Sequence, residues 1–126
     1  MSSACPFCHL PVERILHSDA HALAIRDAFP VSDGHTLIIP RRHVASFFDL
    51  TPAERESLMI LLDWANSEVR SKFGPDACNI GINNGAAAGQ TVSHLHVHLI
   101  PRYVGDMPDP RGGVRWVIPA KARYWD

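Results

Sequence analysis

Three histidines alternate with apolar residues in His94-Leu95-His96-Val97-His98-Leu99-Ile100. Successive side chains of an extended strand face opposite ways. His94, His96 and His98 then share one face, while Leu95, Val97 and Leu99 turn toward a core. A lone buried histidine is commonly a satisfied core residue. Three on one face repel when charged and each ring needs a hydrogen-bond partner, so the row calls for a metal or an anion. A neutral imidazole is a competent nucleophile without losing a proton, and its attack on phosphorus gives a phosphoramidate. His96, flanked by the other two, is the best placed to attack. His98 can hydrogen-bond phosphate oxygens or the leaving group. The competing reading uses all three as metal ligands.

Other residues suit the same chemistry. Gly89-Gln90-Thr91-Val92-Ser93 runs into the histidine segment and can offer backbone N–H groups and hydroxyls to phosphate oxygens, or it is a plain turn. Cys5-Pro6-Phe7-Cys8 supplies two thiols at the spacing of a metal pair or a redox pair. Zinc takes four N or S ligands, and without a second Cys-x-x-Cys, histidine must complete the set; His9 stands one residue away. Asp27 can accept from both ribose hydroxyls or serve as a turn residue. Phe7, Ile25 and Phe29 suit a base pocket or a core. Cys78 reads as a small buried side chain, and His17 and His21 fall in an expected loop.

These residues must be held by a small set of elements. Thr51-Pro52-Ala53-Glu54 supplies an N-cap, a proline at the first helical position and a capping-box glutamate. Leu58, Leu61, Leu62, Ala65 and Val69 recur at helical spacing, and Gly74-Pro75 stops the pattern. The spacing predicts a helix over Pro52–Phe73 with one face on a sheet. Strands are expected at Val12–Leu16, Ala22–Arg26, Thr36–Ile39, around Ile80 and Ile82, and at Ser93–Ile100. A short strand or arm is expected at Trp116–Ile118, after the Pro/Gly-rich loop of residues 105–113. One long helix among such strands predicts an α+β fold with a mostly antiparallel, five-stranded sheet.

The chain has 126 residues, with 12 Lys and Arg against 13 Asp and Glu, so no field of either sign draws it to a nucleic-acid polymer or an anionic membrane. That length predicts one domain over residues 1–126, with a C-terminal arm from about residue 105. The N-terminus lacks the basic start and apolar run of a secretory signal. Leu58–Leu62, the densest apolar stretch, is too short to span a bilayer. A cytoplasmic protein is expected. Eight histidines are what direct attention to a site.

The segment from His94 to Ile100 resembles the signature of the histidine triad family of nucleotide hydrolases and transferases. Cys5-Pro6-Phe7-Cys8 is similar to that family's N-terminal pair, and Asp27-Ala28-Phe29-Pro30 with Gly34-His35 resembles its nucleoside-binding stretch. Pro40-Arg41-Arg42-His43, Asn83-Asn84-Gly85 and Gly89-Gln90-Thr91-Val92 fit as well. His98 in the third place resembles the hydrolase branches rather than the uridylyltransferases. The resemblance implies His96, His98, His94 and His35 as catalytic residues. Asp27, Phe29, Asn83, Gly89, Gln90, Thr91 and Val92 would bind substrate. It further implies a structural zinc on Cys5, Cys8, His43 and His94, and a homodimer with the apolar C-terminal run near its site and interface. The expected substrate is an adenosine nucleotide joined through its α-phosphate to a second group. Dinucleoside polyphosphates come first, then nucleoside phosphoramidates; a non-catalytic nucleotide-binding module is the rival.

Overall fold

In the computed structural model, which describes residues 5–126, five strands form one antiparallel sheet crossed by one long helix. The strands are β1 (Ile15–Ser18), β2 (Ala22–Arg26), β3 (Thr36–Pro40), β4 (Ala77–Ile82) and β5 (Val97–Arg102), in spatial order β1-β2-β3-β5-β4. Helix α1 spans Pro52–Phe73 and a short α2 spans Pro119–Ala122. The α+β architecture with a five-stranded antiparallel sheet is the one expected.

Helix α1 begins and ends where its caps dictate. Thr51 Oγ1 accepts from the Glu54 N–H and the Glu54 carboxylate accepts from the Thr51 N–H, closing a capping box. Gly74 takes the left-handed conformation and donates to the Arg70 carbonyl. The buried stripe Leu58, Leu61, Ala65 and Val69 packs on Ala22, Ala24, Ile38, Val97 and Leu99 of the sheet. Each buried leucine contributes roughly 2 kcal/mol through the apolar area it removes from water. On the other face, Leu23, Ile25, Leu37 and Ile39 form a second cluster under Phe7, Leu10 and Ile15. The site lies on this second face, because Leu37 is the register partner of His98.

Glu54 also ties α1 to the loop before it. Its buried carboxylate accepts from Arg42 Nε at 3.0 Å and Nη2 at 2.9 Å. This pairing holds its pKa down to about 2. The stability so gained is fully present above the ordinary carboxyl value of 4.5 and is lost as pH falls through about 2. Glu54→Gln is therefore expected to lower stability by about 1–3 kcal/mol at neutral pH. It should also flatten the dependence of the melting temperature on pH within that window, as measured by thermal melts across a pH series.

Several boundaries differ from the sequence expectation. Val12–Arg14 form a 3-10 turn after Pro11, and β1 starts at Ile15. His17 lies in β1 rather than a loop, with its ring stacked on Trp64 at 4.6 Å. Cys78 is exposed, since β4 is an edge strand that α1 leaves largely uncovered. Gly113–Val117 is a 3-10 turn leading into α2, not a strand. Strand β5 starts at Val97, four residues later than Ser93. Among the described residues, no helix is long and apolar enough to cross a membrane.

Candidate active site

The late start of β5 has a local cause. The His94 ring donates from Nε2 to the Pro40 carbonyl at 2.7 Å, and the His96 ring donates from Nδ1 to the His94 carbonyl at 2.9 Å. Side chains thus take the carbonyls that a continuing ladder would use. The segment is held instead by the Leu95 N–H donating to Val44 O at 2.7 Å. His94 and His96 therefore sit on irregular chain just ahead of the strand that carries His98.

These bonds also assign the tautomers. With Nδ1 of His96 protonated toward His94, its Nε2 carries the free lone pair. At the other end, the Val31 N–H donates to His35 Nδ1 at 3.0 Å, so the proton of neutral His35 is on Nε2. That N–H donates to His98 Nδ1 at 2.9 Å, leaving the His98 proton on Nε2. Asp27 Oδ2 stands 3.4 Å from His35 Nε2, while its Oδ1 accepts from the Phe29 N–H. His35 and His98 are both held below the ordinary imidazole pKa, by burial first and by neighbouring histidines, with Asp27 opposing. Both rings are neutral at pH 7. The site thus presents a bare lone pair on His96 beside an N–H donor on His98, with ring centroids 5.0 Å apart. Asp27, His35 and His98 also cluster at metal-like spacing, but His35 Nε2 carries a proton and cannot ligate.

His35 is placed by the loop before β3. Gly34 has φ +90°, and a Cβ there would lie 2.9 Å from the Phe73 ring; only glycine fits that turn. Ser32 Oγ anchors the same loop by donating to Pro101 O.

Cys5, Cys8, His43 and His94 converge at the opposite end of the histidine row. His94 is fully buried, and its Nδ1 lone pair lies 3.5 Å from Cys5 Sγ and 3.6 Å from Cys8 Sγ; His43 Nδ1 lies 3.2 Å from Cys8 Sγ. Tetrahedral zinc with ordinary Zn–S and Zn–N bonds sets its S and N ligands about 3.5 Å apart. Two thiols and two imidazoles at these separations fit that ion. The Pro40 carbonyl supplies the outer partner that fixes the His94 tautomer for ligation. His9 is not part of the cluster.

The remaining candidates are distributed around the triad. Gln90 braces its loop, accepting from the Gly85 N–H and donating to the Ala45 and Val92 carbonyls. Its side chain is committed to backbone. Asn84 similarly clamps Ser46 and Phe47, while Asn83 lines a cavity beyond His98. Gly89, at φ +99°, and Thr91 are exposed and Val92 is half-buried. Phe29 is 88% exposed, whereas Ile25 is buried in the second cluster. Phe7 packs edge-on against His96 at 5.2 Å and His94 at 5.9 Å. In the C-terminal arm, Arg111 is paired with Asp109, and Arg115 donates to the carbonyls of Lys121 and Ala122. The backbone groups of Val31 and Pro40, which set two tautomers, carry no side-chain signature and were invisible in the sequence.

The HIT domain profile matches residues 12–105. The chain belongs to the HIT family. A HIT-like protein of Methanocaldococcus jannaschii is 40% identical over 107 residues, covering 81% of each chain. The bis(5'-nucleosyl)-tetraphosphatase [asymmetrical] of Schizosaccharomyces pombe is 36% identical over 82% of this chain and 57% of its own. The crystal structure of a Zn-bound histidine triad family protein from Mycobacterium smegmatis matches with a TM-score of 0.74 at 32% identity, over 97% of this chain and 96% of that one. The HIT fold, and the family's link to nucleotide binding and hydrolysis, thus follow from sequence and structure together. The histidine row of this HIT protein is a line of rings running from the Cys/His cluster to Asp27.

Proposed function

We propose that this HIT protein hydrolyses adenosine nucleotides at the α-phosphate through a covalent nucleotidyl-histidine. The observation that carries the reading is the pair of tautomers, a lone pair on His96 Nε2 next to an N–H on His98 Nε2. His96 attacks phosphorus, and the bond to the leaving group breaks with its electron pair departing on that group. The His98 N–H hydrogen-bonds the developing charge, held in place by the His35 N–H behind it. Water then attacks the same phosphorus, the P–N bond breaks, and a nucleoside monophosphate leaves. Backbone N–H groups of Thr91 and Val92 are offered to the phosphate oxygens, while those of Gly89 and Gln90 donate to the Ala86 and Gly85 carbonyls and, with the Gln90 side chain, keep that loop in shape. Trapping the adenylylated protein and locating the adduct by mass spectrometry tests this. Diadenosine tetraphosphate and nucleoside phosphoramidates share the adenylyl half of such a substrate.

The nucleoside rests on Asp27 and Phe7, with Phe29 at its edge. Asp27 accepts from the ribose hydroxyls with the carboxylate oxygen not held by Phe29. Asp27→Ala is expected to weaken ribonucleotide binding about tenfold or more. The 2'-deoxy analogue, already weak, should lose little further. Calorimetric titration of both ligands checks this, and equal losses would count against the ribose role.

Zinc, when bound by Cys5, Cys8, His43 and His94, supplies a structural cross-link that immobilises His94 and the Cys5–Cys8 turn. The triad members His96 and His98 stay free. We further propose a homodimer, because edge strand β4 leaves Ile80 50% exposed. Light scattering should give twice the chain mass, and a monomer at micromolar concentration would refute it.

A further inference from the structure

The sheet carries a polar cluster on the face opposite the triad. Arg26 and Thr36, register partners at the ends of β2 and β3, fall on the α1 side with Ala22, Ala24 and Ile38. Their chain neighbours Asp27 and His35 meet on the site side at 3.4 Å.

Arg26 Nη2 holds both carboxylate oxygens of Glu68 in α1, at 2.7 and 2.5 Å. Its guanidinium carbon lies 5.1 Å from the centroid of the Phe73 ring. Its Nη1 donates to Thr36 Oγ1 at 2.6 Å, and that hydroxyl donates to the Gly34 carbonyl at 2.7 Å. A guanidinium only donates, so the Thr36 hydroxyl proton points at Gly34. The charge behind the hydroxyl strengthens this second bond, and Thr36 is fully buried, out of reach of competing water. The peptide so held is the one that leads from Gly34 into His35. Gly34 itself lies against the Phe73 ring, where a Cβ would come within 2.9 Å. The turn is thus tied to the C-terminal end of α1 by a polar chain and by ring packing.

We infer that Arg26 is a positioning residue for the triad. From the reverse face of the sheet, through Thr36 and the Gly34 carbonyl, it holds the turn that aims the His35 N–H at His98 Nδ1. Ser32-Asp33-Gly34 is permissive backbone that needs such a tie. Asp27 is placed by other bonds, its N–H on the His35 carbonyl at 3.0 Å and its Oδ1 under the Phe29 N–H at 2.8 Å. Loss of the Thr36 hydroxyl therefore reaches His98 and spares the nucleoside contacts. The effect on rate rests on the proposed cleavage at the α-phosphate; the hydrogen bond from His35 to His98 does not.

The test cuts the chain at two points. Thr36→Val removes the hydroxyl and keeps the volume, and Thr36→Ser keeps the hydroxyl. Arg26→Met removes the other end, and Glu68 retains Lys72 at 3.3 Å as a partner. NMR of wild-type protein with nitrogen-15 histidine is expected to show the His35 Nε2–H as a resonance protected from solvent exchange. In Thr36→Val and Arg26→Met, each verified as folded by thermal melts, that resonance should broaden away, and in Thr36→Ser it should persist. With diadenosine tetraphosphate, kcat should fall about tenfold in Thr36→Val and Arg26→Met with KM within about twofold, and Thr36→Ser should recover kcat to within about threefold of wild type. Absence of the protected resonance from the wild type, or its retention in both Thr36→Val and Arg26→Met, would overturn the inference. So would a Thr36→Ser protein that behaves as Thr36→Val, or a rise in KM in place of the fall in kcat. Should one variant fail to fold, the other carries the test. If the wild type turns over no nucleotide, the cleavage reading fails separately, and the resonance still decides what holds His35.

Discussion

A His96→Asn protein is expected to bind nucleotide with near wild-type affinity and to turn none of it over. The change removes the Nε2 lone pair, whose contribution exists only in the transition state; the ground-state contacts at Asp27, His98 and the Gly89–Val92 loop remain. A loss in kcat on the order of 10⁴-fold or more is expected for an essential nucleophile. The wild type should yield one nucleotide per active subunit on His96, in a P–N linkage that survives alkali and breaks in mild acid. A His98→Ala protein should lose less, because it supports departure through a hydrogen bond and does not form the covalent bond. Two in-line displacements leave a chiral α-phosphorus with net retention. Net inversion, or wild-type rates in the His96→Asn protein, would mean that water attacks directly and the covalent route is wrong.

The second large effect concerns the Cys/His cluster. Purified protein is expected to hold about one zinc per chain in a four-ligand site. Cys8→Ser should abolish stoichiometric zinc and lower the melting temperature by on the order of 10 °C, since metal binding energy is folding energy here. The exposed Cys78→Ser serves as the comparison and should shift it by no more than about 1 °C. Activity should fall with the metal even though zinc takes no part in the proposed chemistry. The ion would hold His94 and the turn carrying Phe7, and Phe7 packs on His96 at 5.2 Å. A preparation with full activity, an unchanged melting temperature and no metal would rule the site out.

Much of this protein is legible from residue type and spacing. Helix α1 is written in Thr51, Pro52, Glu54 and Gly74, because caps and stops act within a few residues of themselves. Strands β2 and β3 follow their short apolar runs to within one residue. The alternation around His94–Ile100 correctly sent Leu95, Val97 and Leu99 to the core. The clustering of Cys5 and Cys8 with His43 and His94 matches the set that the family resemblance implied.

What the sequence could not supply is set by backbone groups and by the order of the strands, which residue type does not record. The proton positions on the rings depend on the Val31 N–H and on the Pro40 and His94 carbonyls, backbone groups that residue type does not mark, since every residue carries the carbonyl and all but proline the N–H. The start of β5 at Val97 follows from those same bonds, not from its own propensity. The exposure of Cys78 follows from its strand's place at the sheet edge, which only the order β1-β2-β3-β5-β4 decides. Arg102 and Arg111 pair with Asp106 and Asp109 a few residues away, and the arm from Met107 to Trp116 closes over β4 and β5 through glycines at positive φ. Residue type and short spacing determine which groups can do chemistry. Which proton each ring carries, and which charges stay free, depends on hydrogen bonds fixed by the folded backbone, some within a few residues, as His96 to the His94 carbonyl, and others across the chain, as His94 to the Pro40 carbonyl and His35 to His98.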